Sequence, residues 1–193
     1  MKNLKNTSFP NQATPKSITK KLVNLAMLAA LSIVLVAIFR FPMFLPFLIY
    51  EPGDVPVLIG TFIFGPLSGF ILLLVGAFLQ AITVSQEGGW IGFIMHVVAT
   101  SFLLLPAGLI YKKVHNIKGA IIGLSVGIIS MTLIMIPFNL VFYPMFTGVP
   151  VDAMKAILFS AIIPFNLVKA GINSVLTIIV YKSVGKILKK LSS

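Results

Sequence analysis

Apolar runs of close to twenty residues alternate with short polar breaks along almost the whole chain. About 20 apolar residues, rising about 1.5 Å each, cross a hydrocarbon core of about 30 Å, so the pattern predicts membrane-spanning helices. The long runs fall at 22–39, 67–84, 91–110, 120–141 and 156–181, and a shorter one at 57–64 is stopped by Gly65-Pro66. A run of that length covers only about 12 Å as a helix. Either this span borrows residues from both flanks, or 57–84 is a re-entrant hairpin. The expected fold class is all-α: an integral membrane bundle of six transmembrane helices. It forms one domain over 18–193, preceded by a disordered cytoplasmic tail over 1–17.

The breaks carry their own signals. Residues 41–56, FPMFLPFLIYEPGDVP, contain four prolines and cannot form one regular helix, so they read as an ordered loop dipping back over the bundle. The stretch 85–90, SQEGGW, is a turn with an interfacial tryptophan, and 142–155 is a second aromatic, proline-bearing loop.

Composition narrows the class. The chain is 58% hydrophobic and 10% charged, with a mean hydropathy of +1.07, which excludes an ordinary soluble domain. It has no cysteine, hence no disulfide framework and no thiolate metal site. A net charge of +11 raises nucleic acid as a partner, but the lysines flank apolar runs and form no patch interleaved with aromatics. Membrane topology accounts for them better. With both termini and the 111–118 loop in the cytoplasm, twelve of the fifteen basic residues lie inside. Arg40 and Lys155 then lie outside, Lys169 lies in the membrane, and Glu51, Asp54, Glu87 and Asp152 fall in outer loops. The first apolar run is too long for a cleaved signal peptide. The Asn6-Thr7-Ser8 sequon is a chance match on that side of the membrane.

The candidate chemistry centres on 161–177, AIIPFNLVKAGINSVLT. Asn166, Lys169 and Asn173 sit at i, i+3 and i+7, on one helix face. A lysine deep in a span costs at least a few kcal/mol and usually faces a bundle interior or a watery cavity. The competing reading is a lysine that snorkels or bonds to a neighbouring helix, and it suits a residue near a span end better. Gln80, His96 and Asn139 fall in the same outer half, under loops carrying Phe41, Phe44, Phe47, Tyr50, Trp90, Phe142, Tyr143 and Phe146. An apolar cavity with a few amides and one cation suits a small flat molecule with an amide or imide edge. Taken singly, His96 reads as a hydrogen-bonded core histidine and each aromatic as a belt residue at the interface.

Enzymatic readings fare poorly. Gly123-Leu124-Ser125-Val126-Gly127 fits G-x-S-x-G, but it lies within a span and lacks the strand–turn–helix context of a nucleophile elbow. A pairing of Ser125 with His96 fails on depth, because the two fall near opposite ends of their spans. There is no phosphate-binding glycine motif and no acidic cluster for Mg²⁺. Such a chain binds passively, exchanges ions, or borrows energy from a partner.

The six short spans, EPGDVPVLIGTFIFGPLSG at 51–69 and PFNLVKAGINS at 164–174 resemble the substrate-binding S component of energy-coupling factor (ECF) vitamin transporters, and within them the riboflavin-specific branch. The resemblance implies a high-affinity capture subunit of a bacterial plasma membrane, with no ATPase site of its own. Riboflavin is then the transported ligand and not a cofactor, with FMN left open as a further ligand. A membrane-embedded T component and two cytoplasmic ATPases are the implied partners. The first loop would lid the ligand, placing Leu45 with its neighbours Met43 and Phe44 at the site, beside Asn139, Asn166 and Lys169. Ala26 and Ala30 match the alanine pattern that packs on the T component. The loaded subunit would then topple to release vitamin inside. A stand-alone proton-coupled carrier, with Lys169 exchanging protons, and an S component for a different vitamin are the alternatives. Secondary carriers commonly show internal repeats, and the halves of this chain show none that convinces.

Overall fold

The computed structural model describes residues 15–192. The chain runs α1 (Pro15–Phe39), β1 (Phe41–Met43), β2 (Leu45–Tyr50), α2 (Asp54–Phe64) and α3 (Pro66–Thr83). A short 3-10 turn (Gln86–Gly88) leads to α4 (Gly89–Lys113), α5 (Ile117–Thr147), α6 (Val151–Ile157), a π-turn (Leu158–Ile162) and α7 (Ile163–Ser192). Among the described residues, five helical segments are long and apolar enough to cross a membrane: α1, α3, α4, α5 and the run from α6 through α7. The sixth expected span is the shorter apolar helix α2. Most of the expected tail lies outside the described residues, and its last three positions, Pro15 to Ser17, are the first turn of α1.

Helix α2 has only 11 residues, about 16 Å of rise, and all of its residues from Asp54 to Phe62 are buried. Its depth can be read from its neighbours on α4. Asp54 meets Thr100, a Cβ on Gly108 would strike the Thr61 side chain, and the Phe62 ring packs on Tyr111. So α2 descends only from mid-depth to the end that carries Lys112 and Lys113. It borrows Asp54, Val55 and Pro56 from one flank, and the preceding strand covers the remaining depth.

The helical bundle is as expected, and that strand, with its partner, is a short addition to it. FPMFLPFLIY forms an antiparallel hairpin, pairing Phe41 with Tyr50 and Pro42 with Ile49, then Met43 with Leu45 after a break in register. Pro42 and Pro46 prevent helix here, and the alternation of apolar residues suits a two-faced strand. The break leaves Pro46, Phe47 and Leu48 bulged out of the ladder, which re-aims their side chains.

The expected second loop is also mostly helical. Helix α5 runs on through Thr147 and stops at Gly148, whose φ of 70° is the left-handed C-terminal conformation glycine adopts freely. In the sixth span, Pro164 has no N–H to offer the carbonyl four residues back, and the helix accommodates the defect as the π-turn.

In the half that ends at Lys112 and Lys113, α4 and α5 approach closely. A Cβ on Gly123 or Gly127 of α5 would collide with the carbonyl oxygens of Ala107 and Leu103 on α4. These glycines, four residues apart, therefore let the two backbones approach closely, as small residues do between membrane helices. The G-x-S-x-G coincidence is thereby explained: its glycines form a helix interface, and Ser125 points away, exposed. Below them the Phe62, Tyr111 and Tyr181 rings stack edge and face, with the two tyrosine hydroxyls in hydrogen bond contact.

Candidate ligand-binding cavity

At the opposite end, under the hairpin, lies a cavity of about 500 Å³, within the range for small-molecule sites. Helix α5 contributes a stripe at strict fourth-residue spacing, Met131, Met135, Asn139, Tyr143 and Thr147, which is one helix face. Helix α7 contributes Phe165, Asn166 and Lys169, α4 contributes His96 and Met95, α3 contributes Gln80, and the bulge contributes Pro46 to Leu48. Methionines and aromatics make an adaptable apolar wall for a flat ring.

The amides and the amine present complementary groups. Asn139 donates its Nδ2 to Met135 O at 2.8 Å, and Asn166 donates its Nδ2 to Ile162 O at 2.8 Å. Each amide nitrogen is thus bound to its own helix, and the side-chain oxygens remain as acceptors. Lys169 is 8% exposed. Among the described residues its ammonium makes no hydrogen bond, and it lies 5.9 Å from the Phe165 ring centroid. Two acceptors and one charged donor on neighbouring faces can read an N–H flanked by carbonyl oxygens.

The floor is a polar network that the sequence reading placed in an outer loop. Glu51 and Asp54 are 8% and 1% exposed, so both acids lie inside the protein. Glu51 Oε1 accepts from Arg40 Nε at 3.0 Å and from Ser85 Oγ at 2.9 Å. Asp54 accepts from Thr100 Oγ1 at 2.9 Å and from Asn173 Nδ2 at 3.1 Å. Between them stands His96, with Nδ1 3.9 Å from Glu51 Oε2 and Nε2 3.5 Å from Asp54 Oδ1. Lys169 adds a favourable field at Glu51. Buried charges persist only when compensated: Glu51 is paired with Arg40 and hydrogen-bonded, and Asp54 is held by the hydrogen bonds from Thr100 and Asn173.

Six of the ten expected ligand residues line the cavity: Gln80, His96, Asn139, Tyr143, Asn166 and Lys169. The other four do not. Asn173 is fully buried below it, accepting from Tyr50 O–H at 2.9 Å and donating to the Glu51 carbonyl at 3.2 Å. Met43 and Leu45 pack instead against a small cluster of Leu48, Ala161 and Phe165. Phe44 sits at the hairpin tip, 53% exposed, with a φ of 66° that is unfavourable for a bulky side chain. The hairpin residues facing the cavity are Pro46, Phe47, Leu48 and Ile49. Arg40 and Glu51 line it as well and were missed. The signal was the shortness of the 57–64 run, which requires the residues before it to supply the missing depth. Ala26 and Ala30 lie on the exposed face of α1, opposite the buried stripe of Leu28, Ala29, Ser32 and Val36.

Comparison with known proteins agrees with this architecture. Residues 20–181 match the family model described as the ECF transporter, substrate-specific component. The chain is 34% identical to the riboflavin transporter RibU of Staphylococcus aureus (strain TCH60), covering 89% of this chain and 94% of the relative. It is 30% identical to the riboflavin transporter FmnP of Bacillus subtilis (strain 168), covering 84% and 90%. A solved structure described as "Structure and mechanism of the S component of a bacterial ECF transporter" superposes with a TM-score of 0.75 at 36% identity. That superposition covers 89% of this chain and 99% of the other.

Proposed function

Since the chain belongs to the substrate-specific components of ECF transporters, a family of multi-pass membrane transport proteins rather than enzymes, we propose that it captures riboflavin at the outer face of a bacterial plasma membrane. The carrying observation is the wall where the Asn139 and Asn166 oxygens stand beside the Lys169 ammonium over a methionine- and aromatic-lined cavity. The pyrimidine edge of an isoalloxazine offers one N–H between two carbonyls, so the amide oxygens receive the N–H and Lys169 donates to a carbonyl. Phe47 and Leu48 of the bulge cover the ring.

Charge supports the orientation. With both termini inside, the cavity mouth faces out and twelve of fifteen basic residues lie in the cytoplasm. Transport then requires a T component, docked on the face of α1 that carries Ala26 and Ala30, and two ATPase subunits that supply the energy this chain does not generate.

The test is direct. Riboflavin is yellow and fluorescent, so protein stripped of any co-purified flavin should quench added riboflavin on binding. Absence of saturable quenching would sink the reading. One observation favours a second one: buried carboxylates flanking a histidine resemble a proton relay. A proton-driven carrier accumulates riboflavin in vesicles lacking any ATPase, whereas a capture subunit only binds it there.

A further inference from the structure

Resting on the flavin reading, we infer that Glu51 is a charge-selectivity determinant, which sets how strongly the cavity discriminates against a flavin whose side chain ends in phosphate. Around the cavity stand two permanent cations, Arg40 and Lys169, and two carboxylates, Glu51 on the wall and Asp54 just beneath it. The four formal charges cancel. Asp54 is committed to Thr100 and Asn173 and is shielded from the cavity by its 1% exposure. Glu51 differs. Its Oε1 takes both hydrogen bonds, while the nearest polar side chain to Oε2 is the His96 imidazole at 3.9 Å, too far for a hydrogen bond. A carboxylate bound on one oxygen only contributes its negative charge to the cavity it lines. It also offsets the field of Arg40 and Lys169, the two groups that would otherwise attract a phosphate.

An uncharged riboflavin is indifferent to the sign of this field to first order. A phosphate ester carries about −1.5 to −2 charges at neutral pH. At an effective dielectric of about 20 and a separation near 8 Å, about one Debye length at physiological salt, one unit of charge lining the cavity changes its affinity by roughly tenfold or more. Glu51 therefore acts on the ratio of the two affinities rather than on riboflavin binding itself.

The experiment titrates the purified full-length chain with riboflavin and with FMN, following flavin fluorescence. The proteins are the wild type, Glu51→Gln, Arg40→Gln and the double variant Arg40→Gln/Glu51→Gln. Glu51→Gln should move the FMN-to-riboflavin affinity ratio toward FMN by roughly tenfold or more. Arg40→Gln should move it the other way, and the double variant should return near the wild-type ratio. An unchanged ratio in Glu51→Gln protein that still binds riboflavin overturns the inference and leaves the riboflavin reading standing. Should Glu51→Gln alone fail to fold, a ratio in Arg40→Gln that is unchanged or shifted toward FMN overturns it equally. A wild-type chain that binds neither flavin removes the reading and this inference together.

Discussion

The two halves of this bundle solve opposite problems. The half that ends at Lys112 and Lys113 brings α4 and α5 together over Gly123 and Gly127 and closes with three aromatic rings packed tilted and edge to face. The hairpin half is held apart by devices that prevent close packing: a bulged strand, the proline-induced π-turn and a floor of hydrogen-bonded charges. Close helix packing below gives the polar network a rigid base, and the irregular backbone above keeps a cavity open. A binding protein in a membrane can thus draw stability and recognition from different ends of the same helices.

Substitutions can break or sharpen that contrast. The largest expected effect is at Asn173, which ties the hairpin to α2 and α7. Asn173→Leu leaves Tyr50 and Asp54 short of partners and should cost about 3 kcal/mol of stability, since buried groups lose bonds involving a charge. Thermal unfolding in detergent would show it, with riboflavin affinity falling alongside. Lys169→Met should weaken riboflavin binding by about 2 kcal/mol, the scale of a hydrogen bond from a charged group, without lowering the melting temperature. An unaltered titration curve would remove Lys169 from the site. In the other half, Gly127→Ala pushes a methyl against the Leu103 carbonyl and should cost about 1–2 kcal/mol of stability. Its riboflavin affinity should hold in whatever fraction stays folded, and a parallel loss of affinity would show that the halves are not independent. The smallest effect on the isolated protein is expected for Ala26→Leu on the exposed face of α1. Binding and melting should match wild type, while cellular uptake stops if that face meets a partner helix closely.

Much of this contrast was legible in the sequence, and unevenly so. Helical periodicity alone put Asn166 and Lys169 on one face, because an α-helix repeats regardless of its surroundings. The stripe at Asn139 and Tyr143 obeys the same rule. The hairpin was not legible, because prolines announce only where helix is forbidden and say nothing of which strand pairs with which. Glu51 and Asp54 were assigned to solvent because charge usually marks an interface, and only Arg40 just past α1, Ser85 just past α3, Thr100 on α4 and Asn173 on α7 make burial tolerable. Those partners lie 11 to 119 positions away in the chain, beyond the reach of any local pattern. Asn173 shares the lysine's face but sits one turn too deep, and no spacing rule distinguishes a wall from a floor.

Helix α5 has 31 residues, a rod of about 46 Å, and even a tilt of about 20° leaves it taller than the roughly 30 Å oily layer. Asn116 caps its first turn beside Lys118, and polar and cationic residues of this kind favour the headgroup layer, so the overhang is expected at the other side. Tyr143 and Thr147 then stand in water like the rim of a well above the lipid surface. A water-borne vitamin reaching that rim need never dissolve in the bilayer on its way to the cavity.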